Sequence, residues 1–232
     1  MEKVNIDICD FHAHILPGAD HGSASLNISL RQLELAKAYG VNRIVAAPHY
    51  YPDKETVESF LSRRAKAYDI LSKHIPVGTF VALGAEVLIC ENLENLPGLE
   101  KLTIAKTNVL LLELPTHHYD ESFYFTVSAL IERGFKIVLA HAERYDAYHI
   151  DELIELGTEI QLNVSSVSPV FYKHPDAVRW LKSGAVTAIG SDIHGTDKSH
   201  YRKFKLAIKR NLPYINKVKD KSDLLWSQFK AE

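Results

Sequence analysis

The 232-residue chain is 46% hydrophobic and 24% charged, which excludes a disordered protein and provides enough apolar material for a core. Its formal charge of −2 at pH 7 argues against nucleic acid as the partner. The chain has neither a long apolar run nor a basic-then-apolar N-terminus, so we expect a cytoplasmic protein, residues 1–232 forming one domain, with no membrane insertion.

The predicted elements alternate between strands and helices along the chain. Hydrophobic periodicity and turn residues predict strands at 4–11, 43–47, 79–86, 108–113, 136–140, 159–164 and 186–189. Helices are predicted at 25–39, 54–72, 121–133, 151–156 and 175–182, and 87–106 is less regular, with loops or a short helix. Seven strands that alternate with helices predict a parallel α/β fold, and polar residues at the strand ends favour a barrel.

The first strand ends in the motif Asp10-Phe11-His12-Ala13-His14. Alternate side chains of a strand share a face, so Asp10, His12 and His14 are expected to point the same way. Two adjacent imidazoles supply half of the ligands of a typical metal site. The motif is short, and a strand end with solvated histidines is the alternative interpretation.

Further residues of metal-ligating type recur where later strands are predicted to end. They are His49, Glu86, Glu113, His141, Asp192 and His194, and the loop after the first strand adds His21, with Asp20 as its competitor. Nitrogen and carboxylate ligands without thiolate suit Mn, Fe or Zn. These residues are too many for one ion. Closely spaced ions can clamp both oxygens of a phosphoryl displacement and generate hydroxide at neutral pH.

Two groups of cations are candidates for binding an anionic substrate. Arg144 follows His141 by three residues and could bind a phosphate through two parallel hydrogen bonds, the alternative being an ion pair with adjacent acids. Residues 198–221 contain nine Lys or Arg and one acid, Asp220. This pattern is more typical of a solvated helix face than of a basic rim at a binding site.

Six other histidines do not follow predicted strands in this way. We interpret them as surface residues or as residues with satisfied hydrogen bonds: His74, His117, His118, His149, His174 and His200. Two of these, His117 and His118, lie soon after the strand that ends at Glu113 and could contact a substrate.

Six motifs in order resemble those of the polymerase-and-histidinol-phosphatase (PHP) family. They are Asp10-Phe11-His12-Ala13-His14-Ile15-Leu16-Pro17-Gly18, Ala47-Pro48-His49, Gly84-Ala85-Glu86, Glu113-Leu114-Pro115, His141-Ala142-Glu143-Arg144 and Ser191-Asp192-Ile193-His194. More narrowly, the chain resembles the bacterial capsular polysaccharide branch of metal-dependent protein-tyrosine phosphatases. The resemblance implies a distorted (β/α)7 TIM-like barrel that holds three divalent ions, commonly manganese, with Fe or Zn as alternatives.

The resemblance also implies a role for each motif residue. One ion would bind His12, His14, Glu86 and Asp192; a second Glu86, Glu113 and His141; and a third His21, His49 and His194. Arg144 would bind the phosphate, and Arg144, Asp192 and His194 would form the catalytic group.

This sequence departs from the branch at three places. Asp20-His21-Gly22 replaces the usual Asp-Asp-Gly, so whether Asp20 or His21 ligates the third ion stays open. Ala142 stands where the branch has proline. The arginine that usually follows Ser-Asp-x-His is missing, which leaves Lys198 and Arg202 as candidates for a second phosphate-binding cation.

The function implied by the resemblance is hydrolysis of phosphotyrosine in a protein partner, a bacterial tyrosine kinase of capsular or exopolysaccharide synthesis. A cysteine nucleophile is excluded, because Ile15 and Leu96 stand where the C-x5-R pattern of thiol phosphatases needs arginine. The alternatives are a small-molecule phosphomonoesterase, such as a histidinol-phosphate phosphatase, and a non-catalytic metal-binding PHP module. An amidohydrolase or a metal-dependent deoxyribonuclease also begins with H-x-H, but fits the Ser-Asp-x-His ending less well.

Overall fold

Short parallel strands form the centre of the fold in the computed structural model, which describes residues 8–115, 121–167 and 174–229. The strands are β1 (Cys9–Ala13), β2 (Arg43–Ala46), β3 (His49–Tyr50), β4 (Phe80–Leu83), β5 (Glu86–Leu88), β6 (Val109–Glu113), β7 (Lys136–Leu139), β8 (Glu159–Asn163) and β9 (Val186–Gly190). The helices are α1 (Leu26–Ala38), α2 (Val57–Ser72), α3 (Glu121–Glu132), α4 (Ala147–Glu155), α5 (Pro175–Ser183) and α6 (Ser199–Trp226).

The strands make two parallel sheets, ordered β1-β2-β4 and β3-β5-β6-β7-β8-β9. One predicted strand, 79–86, is divided between the sheets as β4 and β5, and the predicted strand 43–47 corresponds to β2 alone. The short strand β3, which was not predicted, follows β2 after Pro48, a residue that lacks an N–H group and interrupts the ladder. The Glu86 N–H donates to the Pro48 carbonyl at 3.1 Å, so the segment from β2 to β3 and the segment from β4 to β5 stay side by side where the chain passes from one sheet to the other.

The last strand returns to the first. The Asp192 N–H donates to the His12 carbonyl at 2.8 Å, and the Ser191 N–H donates to the Asp10 carboxylate at 2.8 Å. These bonds place β9 beside β1, although the two strands form no regular ladder within the described residues. The predicted parallel α/β fold is confirmed. The strands occupy seven positions in the order of a (β/α)7 arrangement, but two sheets replace a single closed ladder.

The core lies on both faces of the strands. Val109 and Leu111 of β6 belong to one apolar cluster, and the intervening Leu110 and Leu112 belong to another. This arrangement agrees with the continuous apolar run of β6, since parallel strands are usually covered on both faces. Glu113 follows Val109 and Leu111 in the alternation and ends the strand.

Helix α6 corresponds to the basic segment 198–221. Tyr201, Phe204 and Ala207 are buried on one face of it, and the cations Arg202 and Lys205 are exposed on the other. The interpretation as a solvated helix face is therefore correct for one side of the helix. None of the described helices has the length and apolar content needed to cross a bilayer.

Other differences from the predicted elements are local. Helix α4 begins four residues earlier than predicted, because the Asp146 side chain caps it by accepting the Tyr148 N–H at 2.8 Å. The irregular segment 87–106 contains three short 3-10 turns, Leu93–Asn95, Leu99–Leu102 and Ile104–Lys106. The start of the first predicted strand, 4–7, lies outside the described residues, as do His117 and His118. That residues 1–232 form one domain stays a prediction.

Candidate metal centre

The predicted ligands gather at one edge of the two sheets. Parallel strands point their carboxyl ends the same way, and nine residues at or after these ends are predicted ligands. Four compact groups bring their ligand atoms within 4.8 Å of one another: His12, Glu86 and His141; His12, His14 and Asp192; His14, His49 and His194; and His49, Glu86 and Glu113.

The Glu86 carboxylate lies at the centre of these groups and is fully buried. Its Oε2 atom lies 3.2 Å from His12 Nε2, 3.3 Å from His14 Nε2 and 2.8 Å from His49 Nδ1. Its Oε1 atom lies 2.7 Å from His141 Nε2. Burial alone raises the pKa of Glu86, but the surrounding imidazoles outweigh burial and hold its pKa well below the usual range. Glu86 is therefore a carboxylate suited to bridging two cations.

The remaining carboxylates lie on two sides of Glu86. Asp192 Oδ1 lies 3.3 Å from His14 Nε2 and 4.0 Å from His12 Nε2, so the four ligands expected for one ion are together. Glu113 lies 3.8 Å from His141 Nε2, as expected for the second ion, and 3.7 Å from His49 Nδ1.

His21 and Asp20 occupy different places around the third group. The His21 ring stacks 4.7 Å from the rings of both His49 and His194, although His21 is not part of a compact ligand group. Asp20 instead lies behind His14: its Oδ2 is 2.7 Å from His14 Nδ1 and accepts the His49 N–H at 3.1 Å. This arrangement favours His21 over Asp20 as a ligand, and the assignment stays a prediction.

The hydrogen bonding of these residues fits divalent cations. Nε2 of His49 and Nε2 of His194 are buried and make no hydrogen bond within the described part of the chain, and His49 Nδ1 and Glu86 Oε2, although 2.8 Å apart, are not aligned for one. A buried polar atom without a partner costs about 1–3 kcal/mol, so several at one place require a compensating group. Cations bound by these nitrogen and carboxylate atoms would satisfy them, and the donor set suits Mn, Fe or Zn.

Two of the predicted ligands have strained backbones. His141 has φ 33° and Asp192 has φ 50°, in the left-handed region that non-glycine residues rarely adopt. Such a conformation costs about 1–3 kcal/mol and needs support from its surroundings. The support consists of two hydrogen bonds, from the His141 N–H to Gln161 Oε1 at 2.8 Å and from the Asp192 N–H to the His12 carbonyl at 2.8 Å.

Two buried amides on β8 were not predicted from the sequence. Gln161 Oε1 lies 3.1 Å from His12 Nδ1, and its amide nitrogen donates to Asn163 Oδ1 at 3.1 Å. Asn163 in turn donates to Asp192 Oδ2 at 3.1 Å. The pattern that could have revealed them is the alternation of polar Glu159, Gln161 and Asn163 within an otherwise apolar strand.

Three of the histidines share one arrangement. Each presents Nε2 to the carboxylates and has a polar partner at Nδ1. The partners are Gln161 for His12, Asp20 for His14 and Tyr145 for His141, the last at 3.1 Å. Such partners fix the tautomer and the ring orientation of metal-binding histidines.

Two glycines allow the backbone to approach the first histidine pair closely. A Cβ at Gly22 would lie 2.2 Å from His14 Cβ, and a Cβ at Gly190 would lie 2.7 Å from His12 Cβ. Both distances are shorter than real Cβ contacts, so glycine is required at each position.

A cleft of about 490 Å³ opens over the ligand groups. Its lining residues are His21, His49, Tyr51, Glu113, Arg144, Asp192, His194 and His200. Arg144 is 49% exposed, and its guanidinium contacts Asp192 Oδ2. Arg144 thus pairs with a predicted ligand at the cleft rather than with the acids adjacent to it in sequence.

One of the histidines interpreted as surface or satisfied residues also lines the cleft. His200 has its Nδ1 3.0 Å from the Ser191 carbonyl, as expected for a satisfied residue, but its place in the cleft was not predicted. Lys198 and Arg202 do not line the cleft, and their binding of phosphate stays a prediction. His149 contacts the Tyr124 hydroxyl at 2.5 Å, as expected for a satisfied residue.

Parallel strands with histidine and carboxylate groups at their carboxyl ends are typical of metal-dependent hydrolases of the barrel type. The chain belongs to the CpsB/CapC family of capsular polysaccharide synthesis, whose sequence profile matches residues 8–221. The resemblance to the capsular polysaccharide branch of the PHP family is therefore confirmed.

Individual relatives agree with this assignment. The tyrosine-protein phosphatase CpsB of Streptococcus pneumoniae is 28% identical over 207 residues, covering 81% of this chain and 83% of that protein. CpsB of Streptococcus agalactiae serotype V is 28% identical over 206 residues, with the same coverage of both proteins.

A solved structure shares the fold. It comes from the crystal structures of YwqE from Bacillus subtilis and CpsB from Streptococcus pneumoniae, which are described as metal-dependent tyrosine phosphatases. The TM-score is 0.76 at 23% identity, covering 97% of this chain and 96% of that one.

Proposed function

We propose that this chain is a metal-dependent protein-tyrosine phosphatase that acts on a phosphotyrosine protein of capsular or exopolysaccharide synthesis, a bacterial tyrosine kinase. The observation that carries the proposal is the convergence of the imidazoles and carboxylates on Glu86, beneath a cleft that also contains Arg144. The names of the relatives support tyrosine phosphate as the substrate class.

We assign three divalent ions, with manganese first and iron or zinc as alternatives. When bound, such ions supply an activated water and neutralise charge on the phosphoryl group. The proposed ligand sets are His12, His14, Glu86 and Asp192; Glu86, Glu113 and His141; and His21, His49 and His194. The atoms of Glu86 that face different imidazoles support its assignment to two of these sets.

Arg144 is assigned to the phosphoryl group. Its side chain is half exposed in the cleft and contacts the 5% exposed Asp192, so one part of the guanidinium is held by this contact and the rest is left to bind a substrate. A planar guanidinium donates two parallel hydrogen bonds to phosphate oxygens, which orients the ester as well as attracting it. In this assignment Asp192 has two roles, because it ligates an ion and holds Arg144.

Two observations weigh against the alternatives. Relatives named as protein-tyrosine phosphatases favour a protein substrate over histidinol phosphate. Arg144 in the cleft favours catalysis over a metal-binding module without turnover, since that module needs no phosphate-binding cation. The cytoplasmic location stays a prediction.

The proposal is tested by metal removal and a substrate panel. A strong chelator is expected to abolish hydrolysis of a phosphotyrosine peptide, and added Mn²⁺ to restore it better than Fe²⁺ or Zn²⁺. Phosphotyrosine is expected to be hydrolysed faster than histidinol phosphate. Cys90→Ser serves as the control and should retain full activity, because no thiol is used. Full activity in protein shown by elemental analysis to be metal-free would refute the proposal, and preference for histidinol phosphate would reassign the substrate.

A further inference from the structure

One side chain in the cleft differs in kind from its neighbours. Among the described residues that line the cleft, Tyr51 alone carries a phenol ring, and the others are histidines, carboxylates and an arginine. No ligand set includes Tyr51, and the proposed reaction assigns it no part. A large, partly buried aromatic face beside a charged centre is a surface that a ring-bearing ligand can use.

The Tyr51 ring is held in place before any ligand binds. It follows β3 directly and stacks on the His49 imidazole, with ring centroids 5.4 Å apart and planes 14° from parallel. The Lys54 ammonium lies 4.1 Å from the centroid of the same ring, a favourable cation–π contact. A ring fixed on its neighbours loses little conformational freedom when a ligand packs against it.

The position of the ring relative to the ligand groups limits what it can contact. Tyr51 stacks on His49, and His49 Nδ1 lies 2.8 Å from the central Glu86. A phosphoryl group held by Arg144 and the ligand groups would therefore have the tyrosine ring beside it. In an aryl phosphate the aromatic ring is joined directly to the ester oxygen, so this ring has to lie within the same cleft.

We infer that Tyr51 forms the wall that receives the aromatic ring of the substrate and so selects aryl phosphates over alkyl phosphates. This inference rests on the proposed phosphatase function and specifies its substrate class. Packing of two aromatic rings is modest in strength, so the expected selectivity from this contact is on the order of 3–10-fold. The aromatic ring makes the contact, edge-to-face geometry included, and the hydroxyl is not required.

The test compares Tyr51→Ala, Tyr51→Leu and Tyr51→Phe with the wild-type protein loaded with Mn²⁺. Phenyl phosphate and glycerol 2-phosphate serve as substrates, and calorimetry measures binding of the non-hydrolysable phenylphosphonate and methylphosphonate. Tyr51→Ala is expected to lower kcat/KM for phenyl phosphate about 3–10-fold, mainly by raising KM, and to weaken the binding of phenylphosphonate by the same factor. The kcat/KM for glycerol 2-phosphate and the binding of methylphosphonate should be unaffected.

Conservative and remote variants distinguish a contact between Tyr51 and the substrate ring from an indirect effect in which Tyr51 only holds the His49 imidazole in place. Tyr51→Phe should behave as wild type, and Tyr51→Leu should resemble the alanine variant although it retains apolar bulk. Tyr148→Ala, which removes a 66% exposed tyrosine that does not line the cleft, should change nothing. Elemental analysis of each variant should give the wild-type metal content.

Three results for Tyr51→Ala would overturn the inference. They are equal losses of activity or affinity for aryl and alkyl ligands, unchanged binding of phenylphosphonate, or a fall in metal content, which would show that Tyr51 only holds His49 in place. If the wild-type protein hydrolyses neither ester with Mn²⁺ bound, the proposed function fails instead. The two phosphonates still test the contact in that case, because their binding requires no turnover.

Discussion

Gln161 and His12 form a hydrogen bond in which Nδ1 of the imidazole lies 3.1 Å from the amide oxygen. An amide oxygen can only accept, so Nδ1 of His12 carries a proton, and Nε2 is the ring nitrogen turned towards Glu86, 3.2 Å away. The same oxygen accepts the N–H of His141, which has a strained backbone. One buried amide therefore orients two of the proposed ligands.

The first prediction follows from that bond. Gln161→Leu removes the acceptor while keeping most of the volume, and is expected to weaken metal binding about 10–100-fold. Competition with a chromophoric chelator measures this loss, and excess Mn²⁺ should restore much of the activity. Gln228→Leu, at an exposed position after α6, is the matched control. A folded Gln161→Leu protein with wild-type metal affinity would contradict the proposed role.

The second prediction separates His21 from Asp20. If His21 ligates the third ion, His21→Ala should lower the metal content by about one ion per chain and reduce turnover, even at saturating metal. Asp20→Ala should retain the full number of ions when metal is in excess but bind them more weakly, because Asp20 orients His14 rather than binding an ion. Elemental analysis across a range of metal concentrations measures both effects. The opposite ranking would make Asp20 the ligand.

The third prediction concerns Arg144. Arg144→Ala is expected to lower kcat/KM for a phosphotyrosine peptide on the order of 10² or more, equivalent to roughly 3 kcal/mol, with an effect on kcat as well as KM. Arg144→Lys keeps the positive charge but loses the planar guanidinium and its two parallel hydrogen bonds, so its activity should lie between that of Arg144→Ala and that of the wild type. Metal content and Tm should stay near wild type. Unchanged kcat/KM, or loss of activity through unfolding or loss of metal, would make Arg144 a structural ion-pair residue.

The fourth prediction concerns the pH dependence of stability. Burial raises the pKa of Asp223, but Lys219 and Arg43 outweigh burial and hold its pKa below the usual value. Its carboxylate lies 2.6 Å from Arg43 and so links α6 to β2. Because the pKa is lower in the folded protein, the stabilisation is present above the unfolded-state value of about 4 and is lost as the pH falls through the folded value.

Asp223→Asn should therefore lower the free energy of unfolding near pH 7 by about 1 kcal/mol or less, since the pair is partly exposed. The difference from wild type should shrink towards zero in acid, which denaturant melts at several pH values can measure. Asp69→Asn on α2 is the control: its pairing with Lys73 is well exposed, so the change should be smaller. A difference that persists or grows in acid would show that Asp223 acts through packing.

The strand ends allowed most of the candidate site to be predicted. In a parallel α/β barrel the carboxyl ends of the strands lie on one rim, so the placement of His12, Glu86 and His141 after predicted strands was enough to expect them on the same side of the fold, whereas their division into ligand sets came from the family resemblance. Hydrophobic periodicity predicted the alternation of strands and helices. It could not predict the transfer of the chain from one sheet to the other at Pro48, because that depends on how the sheets pack.

The parts that were missed depend on tertiary structure. Gln161 and Asn163 could be recognised as unusual polar residues in a strand, but which face of β8 points towards the ligands is known only when the sheets are assembled. His200 lies six residues beyond His194 in sequence, and its place in the cleft depends on the path between β9 and α6. Periodicity carries no information about that path.

The close approach of Gly22 and Gly190 to the histidine pair limits how this family member can change during evolution. Every amino-acid replacement at either position adds a Cβ that would overlap His14 or His12. Neither glycine is itself a predicted ligand, yet a side chain at either position would displace one of the two histidines that are. We therefore expect the space around the imidazoles, and not only the functional groups themselves, to limit which substitutions this site accepts.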